Sequence, residues 1–479
     1  MAEQKQNTCI STQYKIHVKP ESMAYQYGLE IIFYPSAVGR RPKTLTKGGD
    51  ALQKARCRHL LNNSDRLRNI IYAYDGQACL WTADRISEES VENVKSDEFM
   101  NGSLGEDGNI AIHFQYIRQI NLSDLSNYVQ HINDAKEDRA LRNVLEMIPS
   151  QDALERQQYS AIYNGVLCEI AEIQFLWGFV FRNGNSKGVH IINSQNGPQP
   201  ALAINSVKKI FYPSGANFLN VLRHFMGRNM NYDEAETVFR GIKLQVRYNP
   251  GRILKFHRFS DRPLREITFM DEKERERGVE EYLFEKYNVT LRYPYFKAAL
   301  MNNDEAAFPL EQLIIVPDQQ VPDNRLPEKL RQKALRINRL KPDERYVAIV
   351  EQFTHLQLNN ATTHAFGIQI DNRMLQGIFN RLQNIPIIAA NGQRLYPDKC
   401  GSFKFERCKF LKNANVRRII VLSADKKTSM SCVGKVIDKW RGKGAILPEP
   451  EYKTRIYKMF LYPLQKKAFF KINLRPFFP

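Results

Sequence analysis

Residues 280–300 read EEYLFEKYNVTLRYPYFKAAL and combine tyrosines with lysines and an arginine over one predicted helix and one predicted strand. The first half has helical spacing, and VTLRY (289–293) alternates like a strand. Tyr282 and Lys286 are four residues apart and therefore share a helix face, and Tyr287 follows at the helix end. A buried core seldom holds so many cations, and a solvated surface seldom holds so many tyrosines. The combination indicates a partly exposed site for a ligand that is flat and negatively charged.

Single-stranded nucleic acid is a ligand of this kind. A tyrosine ring can lie against a base or ribose, and its hydroxyl can donate to a phosphate oxygen. Lysine and arginine neutralise the phosphate, and arginine can bind it through two hydrogen bonds. The residues alone also allow a second interpretation. Helix tyrosines often belong to a core with a solvated hydroxyl, and a lysine four residues along often serves only as solvation.

Short predicted strands surround this helix. The stretch GIKLQVRYNPGRILKFHRF (241–259) predicts a hairpin that turns at NPG (249–251). FPLEQLIIV (308–316) predicts a further strand. Several short strands with one short helix are typical of a small β-barrel. We therefore expect the tyrosine-bearing helix to be carried by a barrel.

The chain on both sides of this barrel predicts further mixed structure. Before it, GLEIIFY, NIIYAYDGQACLWTADRI and IAIHFQYIRQI predict strands, and DALQKARCRHLL and ALRNVLEMI predict helices. After it, LPEKLRQKALRINRL and RYVAIVEQFTHL predict two helices, and FGIQI and IPIIAANG predict short extended pieces. VRRIIVLSAD (416–425) predicts a strand, and SMSCVGKVIDKWRGKG (429–444) predicts a helix. A strand followed directly by a helix opens an α/β layer.

The charge of the chain narrows the class of partner. Lys+Arg number 70 and Asp+Glu 51, which gives a net charge of +19 in 479 residues. This excess indicates a polyanion, most simply nucleic acid, with an acidic membrane surface or a merely basic exterior as the alternatives. The sequence contains no apolar run of about 18 residues, so no membrane span is predicted. The polar start lacks the apolar segment of a signal peptide, so no signal peptide is expected. The 7 scattered cysteines without a CxxC pair favour reduced, intracellular thiols.

The run from about 236 to 330 resembles a PAZ domain, the OB-like barrel that holds the 3′ end of a small RNA. FRGIKLQVRYNPGRILKF, DRPLREITF, VEEYLFEKYNVTLRYPYF and FPLEQLIIVPDQQ carry the resemblance in that order. IIYAYDGQACLWTA resembles the N-terminal domain of Argonaute proteins, and FGIQIDNRML with NRLQNIPIIAANG resembles their second linker. GSFKFERCKFLKNANVRRIIVLSAD through GAILPEP resembles the start of their MID domain. Dicer enzymes also carry PAZ domains, but these flanking matches and the lack of a GxxxxGK[ST] motif favour Argonaute.

The resemblance implies an α+β, multidomain chain. We expect a central OB-like β-barrel (the PAZ domain), an α+β N-terminal domain and a partial α/β MID domain. The implied segments are a flexible tail (1–14), the N-terminal-like domain (15–150), linker 1 (151–235), the PAZ domain (236–330), linker 2 (331–400) and a partial MID-like segment (401–479).

The resemblance also implies a pocket for the 3′ end of RNA. Its members are Tyr248, Arg252, Phe269, Tyr282, Lys286 and Tyr287. Stacking is implied for the phenylalanine, phosphate hydrogen bonds for the tyrosines, and charge neutralisation for the arginine and lysine. Tyr248 stands where the family often has histidine, and Leu254 stands where animal Argonautes often have tyrosine. For Arg292 and Tyr293, contact with RNA and packing within the protein both stay open.

No catalytic site is expected in this chain. The family's slicing activity belongs to a PIWI domain with two metal ions, which would follow the MID domain. The final stretch from EYKTRIY to RPFFP does not align with the family, and we expect an altered or truncated ending more than a further RNA-binding arm. His257 and Asp261 are close in sequence, but no motif places a nucleophile beside them. We expect no metal ion and no cofactor.

We therefore expect an Argonaute-type protein that binds the 3′ end of a single-stranded guide of the siRNA, miRNA or piRNA kind. Its expected role is RNA-mediated gene silencing without slicing, in the cytoplasm or nucleus, alongside silencing-complex proteins and away from membranes. Two alternatives stay open. The chain is a fragment of a guide-dependent RNA endonuclease whose PIWI domain is missing here, or it competes with full-length Argonautes without loading a guide.

Overall fold

The computed structural model describes most of the chain up to residue 398 and short pieces beyond it. The described residues are 7–47, 51–86, 89–95, 108–125, 139–163, 165–194, 197–227, 231–270, 275–301, 304–379, 385–398, 403–405, 408–412, 420–421, 430–442, 446 and 451–452. They belong to two compact units. One unit comprises Cys9–Gly377, and the other comprises Met1–Thr8 and Ile378–Pro479. No helix in the described part of the chain is both long enough and apolar enough to cross a membrane.

The first part of the chain builds an antiparallel sheet with helices. Its elements are β1 (Asn7–Val18), β2 (Met23–Pro35), β3 (Lys43–Thr44), α1 (Ala51–Asn62), β4 (Tyr72–Tyr74), β5 (Cys79–Thr82), β6 (Glu89–Lys95), β7 (Gly108–Asn121), α2 (Ala140–Met147) and α3 (Gln151–Glu155). Strands pair in the order β4-β5-β2-β7-β6, with β3 on β2. A turn at Asp75 and Gly76 joins β4 to β5, and the Asp75 carboxylate accepts from the backbone amide of Gln77 at 2.7 Å. Apolar residues of α1 cover one face of this sheet.

The predicted tail differs from the structure. Residues 7–14 lie in β1, and Tyr14 is only 1% exposed. Its ring stacks on Phe353 with centroids 4.3 Å apart, so a residue remote in sequence orders the start of the chain. The polar composition of the segment hides this, because only alternate residues of a sheet strand face a core.

The region predicted to be linker 1 contains long strands. They are β8 (Tyr159–Tyr163), β9 (Val166–Glu169), β10 (Ile173–Gln174), β11 (Val180–Ser194) and β12 (Gly197–Phe211). β11 and β12 form one continuous antiparallel hairpin from Val180↔Phe211 to Ser194↔Gly197. FRNGNSKG (181–188) has the composition of a loop but lies within β11, and the described residues of NSQNGPQP (193–200) lie at the ends of β11 and β12. Pairing along the whole length of two strands outweighs their weak local propensity.

The next part carries a second sheet and the tyrosine-bearing helix. Its elements are α4 (Phe218–Met226), α5 (Tyr232–Phe239), β13 (Lys243–Val246), β14 (Asn249–Pro263), β15 (Thr268–Met270), β16 (Glu276–Gly278), α6 (Val279–Tyr287), β17 (Lys297–Met301), β18 (Asp304–Phe308) and β19 (Leu313–Ile315). Strands pair in the order β18-β17-β14-β13-β19, and β15–β16 is a separate hairpin. The pairs found among the described strands do not run round into a closed barrel.

Two local predictions in this part are wrong. The hairpin turns at Arg247 and Tyr248 and not at NPG, because a register shift after Gln245 pairs Val246 with Asn249. VTLRY (289–293) is not a strand. The Glu311 carboxylate accepts from the backbone amides of residues 292 and 293 at 3.1 and 2.9 Å, so a side chain replaces the missing strand partner.

The last part contains helices and one long strand. Its elements are α7 (Glu328–Ile337), α8 (Pro342–Leu356), α9 (Ala361–Ala365), β20 (Ile368–Phe379), β21 (Ile387–Ile388), β22 (Arg394–Leu395), β23 (Ile420–Val421), α10 (Met430–Gly442) and β24 (Glu451–Tyr452). The two helices predicted after the barrel and the helix predicted near 430 are confirmed. FGIQI opens a strand of 12 residues. Most of VRRIIVLSAD lies outside the described residues.

A seven-stranded sheet joins distant parts of the chain in the order β20-β1-β12-β11-β9-β8, with β10 on β11. Its core joins strand residues such as Tyr14 and Leu202 to Val144 of α2 and to Ile349 and Leu356 of α8. The mixed sheets and helices confirm the predicted α+β class.

Arg182 of β11 is an unusual core residue, because its side chain is 1% exposed and still charged. Its guanidinium donates to Glu172 Oε1 at 2.7 Å and to Ser214 Oγ at 2.8 Å, and it also binds Asp318. The guanidinium carbon lies 4.5 Å from the ring centroid of Phe211. One side chain thus bonds to residues of three separate loops, at positions 172, 214 and 318.

Candidate nucleic-acid interface

The helix α6 has local signals at both of its ends. Glu280 and Glu281 occupy its first turn and Lys286 its last turn, which suits the helix dipole. The helix ends at Asn288, which adopts the left-handed conformation with φ of 51° and donates its backbone amide to carbonyls of the last turn. Val279 and Leu283 are buried and attach α6 to a small apolar cluster. The helix therefore presents a fixed second face to solvent.

Four aromatic rings meet on this face. The centroids of Tyr248 and Tyr287 are 4.6 Å apart, those of Phe269 and Tyr282 5.1 Å apart, and those of Tyr282 and Tyr287 6.2 Å apart. Two contacts are nearly perpendicular, with interplanar angles of 88° and 76°. All four rings are partly buried against the cluster around Leu283. The structure thus brings together residues from the β13–β14 turn, β15 and α6, which we call the aromatic cluster (Tyr248, Phe269, Tyr282, Tyr287).

Lys286 adds a positive charge to the aromatic cluster. Its Nζ donates to the hydroxyl of Tyr282 at 2.7 Å and lies 5.1 and 5.8 Å from the ring centroids of Tyr282 and Tyr287. The side chain is exposed. An ammonium group over tyrosine rings is attracted by their electron-rich faces. It can still donate to a bound anion, because an ammonium group has three protons.

Arg252 lies at the edge of this region. It is exposed, and its guanidinium carbon is 5.0 Å from the ring centroid of Phe308. Burial is the main cause that raises the pKa of Tyr248 to about 12, the neighbouring Tyr287 adds to the rise, and Arg252 opposes it. The hydroxyl of Tyr248 therefore stays protonated at neutral pH and can donate to a phosphate oxygen.

The pKa of Tyr248 predicts a dependence of stability on alkaline pH. The pKa in the folded protein lies above the ordinary value near 10, so the contribution of the protonated hydroxyl is complete below pH 10 and is lost as the pH rises towards 12. Between pH 10 and 11, wild type should lose about 1 kcal/mol of unfolding free energy relative to the Tyr248→Phe variant. Urea unfolding of both proteins across this range measures it. Parallel pH profiles would contradict the raised pKa.

The other residues singled out in the sequence lie in different surroundings. Leu254 packs against the large core that also contains Phe256. Tyr293 packs against Phe296 with centroids 6.0 Å apart and lies under the Arg223 guanidinium at 5.8 Å, which favours packing over RNA contact.

His257 and Asp261 are both exposed, and Asp261 forms a loose ion pair of 3.7 Å with Arg258. Within the described ranges, no group of three or more His, Cys, Asp or Glu residues is arranged to hold a metal ion.

Sequence reasoning missed Arg277. It pairs with Phe269 across the β15–β16 hairpin, and its side chain is only 13% exposed. Its guanidinium forms ion pairs with Glu281 at 3.8 Å and with Glu285, both on α6. These pairs hold the hairpin, and with it Phe269, against the helix. Helical spacing gives no signal for this role, because Arg277 lies in β16 and not in α6.

Comparison with known proteins supports the resemblance seen in the sequence. Residues 217–336 match the family model of the PAZ domain, a longer range than the predicted 236–330, and it includes α4 and α5. The structure of Kluyveromyces polysporus Argonaute with a guide RNA is 12% identical, with a TM-score of 0.53, and the match covers 94% of this chain and 56% of that chain. Drosophila Piwi is 15% identical, with a TM-score of 0.39, and the match covers 93% of this chain and 54% of that chain.

The likeness to the Kluyveromyces protein shows a shared fold. The chain spans about half the length of these two proteins. The predicted α+β, multidomain Argonaute architecture with a PAZ domain is confirmed.

Proposed function

This chain has an Argonaute fold that contains a PAZ domain, and from that premise we propose that it binds the 3′ end of a single-stranded guide RNA. The one observation that carries the proposal is the aromatic cluster with Lys286 above its rings. The Kluyveromyces Argonaute that shares the fold was solved with a guide RNA. The net charge of +19 supports an anionic ligand.

The cluster suits one terminal nucleotide better than the middle of a strand. Two near-perpendicular ring contacts leave no row of parallel ring faces along which successive bases could stack. One nucleotide can place its base or ribose against a ring while the hydroxyls of Tyr248 and Tyr282 and the ammonium of Lys286 bind its phosphate. Stacking contributes roughly 1–3 kcal/mol per base and depends little on sequence. The proposal is therefore end recognition without sequence preference.

End recognition predicts that a blocked 3′ end binds more weakly. A short RNA with a free 3′ hydroxyl should bind at least about tenfold more tightly than the same RNA with a bulky 3′ group, a loss of about 1.4 kcal/mol. Fluorescence anisotropy near physiological ionic strength measures the difference, because low salt strengthens background binding to a basic protein. An RNA blocked at its 5′ end is the control and should bind like the unblocked strand. Equal affinity for free and blocked 3′ ends would rule out end recognition.

We further propose a role in RNA-mediated silencing with siRNA-, miRNA- or piRNA-like guides, in the cytoplasm or nucleus and together with silencing-complex proteins. In this role the chain itself does not cleave RNA. Sequencing the RNA that copurifies with the protein from cells tests guide loading. A narrow length distribution supports loading, and copurifying proteins without RNA would instead support competition with full-length Argonautes.

The match covers 56% of the Kluyveromyces Argonaute, and this coverage favours one alternative, a piece of a guide-dependent endonuclease. The coding sequence downstream of residue 450 decides this point. An RNase H-like strand with metal-binding acids there would make the complete protein a candidate nuclease. Its absence would leave a guide-binding protein without a slicer domain.

A further inference from the structure

Lys15 and His17 alternate along β1, and Lys19 follows directly after Val18, the last residue of the strand. Residues two apart in a strand point to the same face and are separated by about 6.6–6.8 Å. Tyr14 and Ile16, on the opposite face, are 1% and 2% exposed and belong to the core of the seven-stranded sheet. Lys15 and His17 therefore point away from that core, and Lys19 beyond the strand is exposed. We call Lys15, His17 and Lys19 the basic row.

The basic row borders two open cavities. The larger has a volume of about 570 Å³, and its lining includes Lys19, Asn360, His364 and Gln369. The smaller has a volume of about 210 Å³, and its lining includes Lys15, Ser123 and the β12 residues Pro198, Gln199 and Pro200. His17 lines both cavities, so they lie end to end along β1.

The chemistry of the two linings favours an anion. The described residues that line them include lysine, histidine, amide and hydroxyl side chains and no aspartate or glutamate. The neighbouring acid is Asp371 of β20, whose Oδ1 lies 2.9 Å from His17 Nε2. This contact holds the imidazole ring in place. Lysine and amide side chains donate hydrogen bonds to phosphate oxygens.

We infer that the basic row and its two cavities bind the phosphodiester backbone of single-stranded nucleic acid. This site is built from β1, the turn before α9, and β20, and it uses none of the residues of the aromatic cluster. It needs several phosphates in a row and no free end, whereas the aromatic cluster is proposed to need a free 3′ end. A strand held at its end by the aromatic cluster and a strand held along its backbone by the basic row are separate binding events.

A circular single-stranded RNA tests this inference, because it has a backbone and no 3′ end. The Lys15→Gln/Lys19→Gln variant should bind it about tenfold more weakly than wild type. The slope of log K against log salt should also become shallower by about 1.4, which corresponds to two lost phosphate contacts on a single strand. The control variant Lys435→Gln/Lys439→Gln removes the same charge from exposed positions on α10 and should change affinity by less than about twofold. Unchanged binding by the first variant, or equal losses in both variants, would overturn the inference.

Two further measurements separate the basic row from the proposed end site and from binding of a single phosphate. The Tyr282→Ala/Tyr287→Ala variant should bind circular RNA like wild type, and a matching loss would overturn the separate site. A 5′-mononucleotide should compete with circular RNA at least about tenfold more weakly than a linear oligonucleotide blocked at its 3′ end. Equal competition would mean that one phosphate suffices and would overturn backbone binding. Thermal unfolding of each variant confirms that the protein is folded.

Discussion

A protein with both Tyr282 and Tyr287 replaced by alanine is expected to bind a short RNA with a free 3′ end more weakly by about 2–6 kcal/mol, if each ring holds the terminal nucleotide. The two rings contact Phe269 and Tyr248, and Tyr282 also holds the Lys286 ammonium at 2.7 Å. Their removal therefore deletes two stacking surfaces and releases the charge beside them. Anisotropy titrations with free-ended RNA near physiological salt measure the loss.

The salt dependence and a matched variant make this test specific. The loss should persist at high salt, because stacking is not screened, whereas the loss of a simple phosphate contact shrinks. The matched variant is Phe284→Ala, which removes a ring that is 56% exposed from the same helix without touching the aromatic cluster. It should bind like wild type. If Phe284→Ala costs as much as the double change, the effect is general damage to α6 and the proposed pocket is wrong.

Replacing Arg182 with methionine is expected to lower the free energy of unfolding by about 3–5 kcal/mol. Methionine can fill part of the space, but Glu172 and Asp318 lose the guanidinium that compensates both carboxylates. Ser214 also loses the donor to its hydroxyl oxygen. A partly buried carboxylate without its counter-charge is costly, and the loops at 172, 214 and 318 would separate. Urea unfolding at neutral pH measures the change.

Two further variants identify the cause of that loss. Arg68→Met removes an exposed arginine that pairs with Asp65 at 2.8 Å, and it should cost less than about 1 kcal/mol. Adding Glu172→Gln and Asp318→Asn to Arg182→Met should restore part of the stability, because the unpaired charges are then gone. If Arg182→Met costs no more than Arg68→Met, the buried network does not stabilise the fold.

Local patterns predicted the helices better than they predicted the turns. α6, α7, α8 and α10 lie where the apolar spacing indicated them, because helical hydrogen bonds are local. NPG predicts the turn of the hairpin, but the strand pairing places the turn at Arg247 and Tyr248. VTLRY alternates like a strand, yet Glu311 from a distant segment binds its amides. In both cases the conformation depends on the partner segment, and the residues of a strand do not specify which segment that is.

In the candidate site, too, local spacing was predictable from the sequence and contacts between distant segments were not. The spacing of Tyr282, Lys286 and Tyr287 was readable, since residues four apart share a helix face. Tyr248 and Phe269 could be assigned to the same place only through the resemblance to the PAZ family, and the fold does bring them to α6. Arg277 escaped notice because its role depends on the β15–β16 hairpin lying against α6.

By itself the sequence determined the charge, the main helices, the PAZ motif order and the residues at one face of α6. Each of these depends on composition or on neighbours within a few residues. The tertiary structure alone decided that residues 7–14 belong to a sheet, that Arg182 is buried among three loops, and that Lys15, His17 and Lys19 line two cavities. Each of these features includes contacts between residues more than a hundred positions apart, such as Arg182 with Asp318. Such contacts form only when the whole chain packs, which costs conformational entropy.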